Sequence, residues 1–301
     1  MASPYHPDLA ARARLLPRGV ARRWSVPLLK RLMRWAGART RSVAQEVPLG
    51  ECSVFVYRPR DGAPRRRPAL LWIHGGGLLF GDARQDEALL RRVVRKLGVV
   101  VASVQYRFAP EHPFPAPLDD CARALTWLSR QEDVDPARIA VGGASAGGGL
   151  AAALCQRVRG PGAGPRPIFQ LLVYPMLDDR SSARADVEDR LLRLWDRRAN
   201  AIGWGSYLKG HDPDRPPPLA VPARAEDPAG LPPAWIGVGD RDLFHDEDLA
   251  YAAWLERGGV QVELELVRGA YHGFDAIDRD APISRAFHDA QLDALARHLG
   301  L

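Results

Sequence analysis

Cysteine is scarce: three in 301 residues, Cys52, Cys121 and Cys155, odd in number and with no C-x-x-C spacing. No disulfide frame or zinc site follows from such a set, which fits reduced thiols in a cytoplasmic protein. Long apolar runs are missing too. Each is broken by glycine or a polar residue well short of the roughly 18–20 residues that span a bilayer. The opening MASPYHPDLAARARLLPRG holds no continuous apolar stretch of the kind a secretory signal needs, so none is expected. Neither G-x-x-x-x-G-K-[ST] nor G-x-G-x-x-G occurs, which removes two common phosphate-cradling loops. No internal repeat of fixed period is visible.

What is present describes an ordinary globular chain, 46% hydrophobic and 26% charged, long enough for one α/β domain carrying an insertion. The formal charge of +6 is unevenly placed. Residues 1–45 hold nine Arg, one Lys and one Asp, a net of +9, which leaves −3 for the remainder. Basicity confined to one segment argues against a nucleic-acid partner. Within it, SVPLLKRLMRWAG (25–37) sets Leu28, Leu29, Leu32, Met33 and Trp35 against Lys30, Arg31 and Arg34 at roughly helical spacing. Such a helix packs on the body with a solvated basic face, or makes weak contact with an anionic membrane surface or lipid interface.

Strand-like and helix-like stretches alternate along the rest. Strands are expected at 52–59, 68–74, 99–106, 138–143, 168–175, 235–240 and 260–267. Helices are expected at 83–98, 117–131 and 146–158, with further helices between and after the last strands. A Pro/Arg/Gly turn is expected at RDGAPRRRP (60–68). This rhythm predicts βαβ units and a mostly parallel sheet. About sixty residues between Pro175 and Trp235 break it, with a helical stretch expected around Asp186–Leu208 and a proline-rich passage after it. A connection of that length reads as a lid or subdomain.

The stretch VGGASAGGG (141–149) crowds five glycines and two alanines around Ser145. It lies where the strand RIAVGG meets the helix AGGGLAAALCQRV. A sharp strand-to-helix turn forces close approach of the two elements and presents a serine hydroxyl at a helix N-terminus, where developing negative charge is favoured. Upstream, His74-Gly75-Gly76-Gly77 follows the strand PALLWI directly. Consecutive glycines there let backbone N–H groups point into a pocket, as an oxyanion hole requires; Gly76 and Gly77, with Ala146 after the serine, are the candidate donors, and His74 and Gly75 support the loop. A nucleophile needs a base, and the base a carboxylate. His272, in GAYHGFDA after the last strand, is the candidate base. His211 lies in the insertion, and His288 and His298 in the final helix. Asp240 and Asp242 both fall in the expected loop after WIGVG, while Asp246, Glu247 and Asp248 read as charges opening the next helix.

Taken together, HGGG (74–77), YRFAPEHPFPAPLDD (106–120), GASAGG (143–148), VYPMLDD (173–179), DLFHDED (242–248) and YHGFD (271–275) resemble the hormone-sensitive-lipase group of α/β-hydrolase esterases, over most of the chain from about residue 50. The resemblance implies an α/β-hydrolase fold, with a mostly parallel sheet flanked by helices and a helical cap. Residues 1–45 would form the N-terminal part of the cap and 178–230 an insertion after the sixth core strand. Residues 46–177 and 231–301 would form the two parts of the core. It also implies Asp242 as the carboxylate, with Asp240 second, and hence the triad Ser145, Asp242, His272. Ala144 departs from the family, which often carries Asp before the nucleophile.

The activity implied is hydrolysis of small to medium acyl esters through an acyl-enzyme, with a small-molecule ester as partner and no metal or cofactor. An amidase or acyltransferase would use the same residues. A non-catalytic small-molecule receptor on this scaffold would lack the histidine, as plant gibberellin receptors do. The tryptophans Trp24, Trp35, Trp195 and Trp204 would line a substrate pocket or pack the cap. An exposed edge strand would support a dimer.

Overall fold

The strand PALLWI sets the architecture. Side chains alternate across a strand, so Leu70 and Trp72 enter one face of the sheet while Leu71 and Ile73 enter the other, and all four are buried. A sheet apolar on both faces must be covered on both. The computed structural model describes residues 3–39, 42–60 and 66–301. Positions 61–65 of the expected 60–68 turn lie outside the described residues.

Eight strands form one sheet: β1 (Gln45–Leu49), β2 (Cys52–Tyr57), β3 (Arg67–Ile73), β4 (Val100–Gln105), β5 (Val134–Ala144), β6 (Phe169–Val173), β7 (Ala234–Arg241) and β8 (Val262–Tyr271), in the order β1-β2-β4-β3-β5-β6-β7-β8. The pairs β1–β2 and β2–β4 are antiparallel and the others parallel. The helices are α1 (Pro7–Ala13), α2 (Val26–Arg39), α3 (Glu87–Leu97), α4 (Ala116–Ser129), α5 (Ala146–Val158), α6 (Arg197–Tyr207), α7 (His245–Arg257), α8 (Phe274–Ile277) and α9 (Pro282–Leu299). Leu125, Leu154 and Leu255, from α4, α5 and α7, join the core on one face. Leu9, Leu90 and Leu295, from α1, α3 and α9, join it on the other.

Several elements differ from the sequence reading. Strand β1 was not expected; QEVPL has no clean alternation, is mostly exposed, and carries Pro48 at the sheet edge, where a missing N–H is tolerated. Helix α3 starts at Glu87 instead of residue 83, because 83–86 form turns that place Asp86 to accept from Trp72 Nε1 at 2.8 Å. In the insertion only Arg197–Tyr207 is α-helical, not 186–208. Asp196 caps α6 by accepting from Ala199 N–H at 2.8 Å, and Leu194, at φ 65°, turns the preceding chain away. Finally, β7 and β8 run past their expected ends, so Asp240 lies inside β7 and not in a loop, and His272 follows β8 with no intervening residues.

The N-terminal segment and the insertion touch directly. Leu194 exchanges backbone hydrogen bonds with it, donating to Pro17 O at 2.9 Å and accepting from Val20 N–H at 3.0 Å. Two steps on, Arg22 grips Asp196 with both terminal nitrogens, at 2.6 and 3.1 Å. Among the described residues no helix is long and apolar enough to cross a membrane.

Candidate active site

Ser145 sits between β5 and α5 at φ 57° and ψ −123°, a conformation that costs an L-residue on the order of 1–3 kcal/mol and persists only where its surroundings enforce it. Here they do. Ser145 N–H donates to Val173 O at 2.8 Å, and its carbonyl accepts from Gly149 and Met176 at 3.0 and 2.9 Å. The flanking glycines are a packing requirement. A Cβ on Gly147 would lie 2.0 Å from Ile73 O, and one on Gly143 only 2.5 Å from both Gly147 O and Ile73 O. Strand β3 and helix α5 thus meet with no room for a methyl group.

The loop after β3 lies against this turn, since a Cβ on Gly75 would be 3.2 Å from Ser145 Cβ. Gly76 and Gly77 adopt φ 128° and 61°. The N–H groups of Gly76, Gly77 and Ala146 donate to no protein acceptor among the described residues. His74 is fully buried, its ring stacked on Tyr106 with centroids 4.5 Å apart and its Nδ1 2.8 Å from Gly75 O. Burial pushes its pKa down to about 4, so the ring is neutral and serves the loop as a packed wall.

Three strand ends bring the remaining groups together. His272 Nε2 is 3.0 Å from Ser145 Oγ and His272 Nδ1 is 2.7 Å from Asp242 Oδ2. Asp242 Oδ1 accepts from Phe244 N–H at 3.0 Å, which fixes the carboxylate. The edges of Phe244 and Tyr174 pack on the imidazole, with centroids 5.1 and 4.9 Å away. All three members are nearly buried, at 6–8% exposure, so little water competes for these contacts. An imidazole held this way can take a proton from a hydroxyl while a neighbouring carboxylate supports its charge.

Asp240 does not join them; it accepts from Gly269 N–H at 2.6 Å. His211 lies beside Phe114, and His288 and His298 pair with Asp275 and Glu263. Ala144 lines a cavity of about 230 Å³ between α3 and α9, with Tyr174, Asp275 and His288. Of the tryptophans, Trp195 and Trp204 are buried while Trp24 and Trp35 are largely exposed. Asp246, Glu247 and Asp248 stand in the first turn of α7 as expected, and Glu247 and Asp248 are buried there. Glu247 accepts from the N–H groups of Leu177 and Asp178 at 2.7 and 3.2 Å and from the Ser181 hydroxyl, tying α7 to the start of the insertion. Sequence reasoning assigned no role to Tyr174 or Asp275, although both stand inside quoted family stretches.

A family model described as alpha/beta hydrolase fold matches residues 70–276. Esterase LipI of Mycobacterium tuberculosis (strain ATCC 25618 / H37Rv) is 36% identical over 240 residues, covering 78% of this chain and 75% of its own. Ethyl acetate hydrolase of Pseudomonas putida is 32% identical, covering 73% and 70%. Among solved structures, a bacterial heroin esterase superposes with a TM-score of 0.88 at 34% identity, over 98% of each chain.

Proposed function

The chain belongs to the alpha/beta hydrolase fold family, in its hormone-sensitive-lipase-like branch, and from that premise we propose a serine carboxylic ester hydrolase acting on small to medium acyl esters. The observation that carries the reading is the unbroken contact series Ser145–His272–Asp242, at 3.0 and 2.7 Å.

Ser145 Oγ attacks the ester carbonyl as His272 Nε2 takes its proton, and Asp242 supports the imidazolium through Nδ1. The N–H groups of Gly76, Gly77 and Ala146 receive the developing oxyanion. His272 then protonates the leaving alkoxide, and water, deprotonated by the same ring, releases the acid from Ser145. These steps need no metal or cofactor. A non-catalytic receptor has no use for an imidazole held at hydrogen-bond distance from a strained serine.

Residues 1–45 and 178–230 act as a two-part cap, a reading supported by the Arg22–Asp196 pair and the Leu194 hydrogen bonds that join them. Between α2 and α6 lies a groove of about 680 Å³, walled by Val26, Pro27, Ile202 and by Leu79, two residues beyond Gly77. We assign it to the acyl or alcohol part of the ester. Free, buried thiols at Cys52, Cys121 and Cys155 support work in the reducing cytoplasm.

The test is hydrolysis of an aryl ester series of increasing acyl length by wild type and Ser145→Ala. Wild type turns over the shorter members, and the variant loses a factor of at least about 10⁴ in kcat. Equal rates would refute the reading.

A further inference from the structure

Helix α2 carries two apolar stripes, and only one is covered. Leu29 and Met33 turn inward and pack against the core. Leu28 and Leu32 point away, 62% and 51% exposed, and Trp24, in the turn before the helix, is 78% exposed. Positions 24, 28 and 32 recur every four residues and so form one row along the helix. Single exposed apolar side chains are ordinary on a protein surface; a row of an indole and two leucines on one helix marks a contact face.

The charge of the segment that carries the row points to what it contacts. Arg14, Arg18 and Arg31 are exposed, and none forms a salt bridge among the described residues, Arg18 acting on Asp189 only at longer range, whereas Arg22 in the same stretch is held by Asp196. The segment 1–45 carries a net of +9 against −3 for the rest of the chain. A second copy docking here would bring two such basic faces together, and like charge opposes that pairing. Anionic headgroups complement it.

We propose that the outer face of α2 docks on an anionic lipid surface. Trp24, Leu28 and Leu32 enter the headgroup layer, while Arg14, Arg18 and Arg31 meet lipid phosphates. Val26, Pro27 and Lys30, on another face of the same helix, wall the groove that also holds Leu79, so docking brings that groove close to the surface. Esters presented there would be the substrates. This last step rests on the ester-hydrolase reading; the docking does not.

Sedimentation with vesicles of phosphatidylcholine containing about 40% phosphatidylglycerol tests it. Wild type partitions at least about tenfold more strongly to these than to pure phosphatidylcholine, and raising salt from about 0.1 to about 0.5 M weakens the binding. Trp24→Ser/Leu28→Ser/Leu32→Ser and, separately, Arg14→Gln/Arg18→Gln/Arg31→Gln each lose about tenfold in partitioning. Both keep the wild-type melting temperature and wild-type kcat/KM on a soluble aryl acetate. Absent vesicle binding, or binding that the substitutions leave unchanged, overturns the proposal. So does a wild-type dimer in the ultracentrifuge that the serine substitutions dissolve. If soluble esters are not hydrolysed while vesicle binding behaves as stated, the enzymatic reading fails and the docking stands.

Discussion

Tyr174 stands edge-on to His272, ring centroids 4.9 Å apart and planes at 65°, while its hydroxyl donates to Asp275 Oδ1 at 2.7 Å. Asp275 lies three residues beyond His272, and its second oxygen meets His288 Nε2 at 3.0 Å. The loop that presents the imidazole therefore also anchors the ring that braces it. Tyr174 holds a backbone φ of 35°, fixed by donation to Gly237 O at 2.7 Å. Tyr174→Phe keeps the brace and removes the anchor. It should lower stability by about 1–3 kcal/mol, the cost of leaving a buried acceptor short of a donor, and kcat by less than about tenfold. Tyr174→Ala removes both and should cost about 10²-fold in kcat, the scale of a misplaced catalytic group. Denaturant melts and kcat measured on one ester check both; equal kcat in the two variants would remove the brace from the account.

The two aspartates near the end of β7 should behave very differently. Asp242 faces His272 at 2.7 Å, whereas Asp240 holds the Gly269 N–H at 2.6 Å. Asp242→Asn presents the imidazole with an amide that cannot support its charge, and kcat should fall by about 10³–10⁴ with the fold intact. Asp240→Asn should leave kcat within about threefold and cost about 1 kcal/mol of stability. Comparable kcat losses would mean that the carboxylate assignment is mistaken.

Gly77 and Trp195 interlock. A Cβ on Gly77 would lie 2.0 Å from Trp195 Cη2, and the φ of 61° already disfavours a side chain there. Gly77→Ala must therefore displace either the indole or the loop whose N–H groups are assigned to the oxyanion. A lost donor of that kind costs about 10²–10³ in kcat. Adding Trp195→Leu frees the space and should restore at least about tenfold of the loss. Kinetics of the single and double variants decide the matter, and no recovery would place the damage in the backbone strain alone.

Local order was the legible part of the fold. The break between RIAVGG and AGGGLAAALCQRV coincides with the end of β5 and the full length of α5, because glycine density and the change of period both act over a few residues. The alternation of strands and helices gave the parallel sheet for the same reason. Strand β1 was illegible because its residues contribute little to either core face and its pairing with β2 does the work. At the site, residue types and motif order bring Ser145, Asp242 and His272 to attention, but nothing local reports the Tyr174–Asp275 contact, 101 positions apart. The burial of Glu247 was hidden likewise: its partners Leu177, Asp178 and Ser181 stand 66–70 positions away, and in the sequence it is one acid in an acidic helix start.

That buried glutamate gives the protein a pH-dependent stability whose sign can be worked out. Burial lifts the Glu247 carboxyl from an ordinary 4.5 to about 8, against hydrogen bonds from Ser181, Leu177 and Asp178 that favour the charged form. Between those two values the folded protein keeps a proton that the unfolded chain has released. The contribution is therefore fully present below about pH 4.5 and is lost as pH rises through about 8. Glu247→Gln imitates the protonated acid: its amide oxygen can accept from Leu177 and Asp178 and its amide nitrogen can donate to Ser181 Oγ. Near pH 5 the two proteins should melt within about 2 °C of each other; near pH 9 the variant should melt higher by several degrees. Asp248, also buried and also raised, is raised further by the charge on Glu247, so removing that charge in the variant adds to the difference in the same direction at high pH. A wild-type-minus-variant melting difference that stays flat across this range would mean that Glu247 is ionised in the fold throughout.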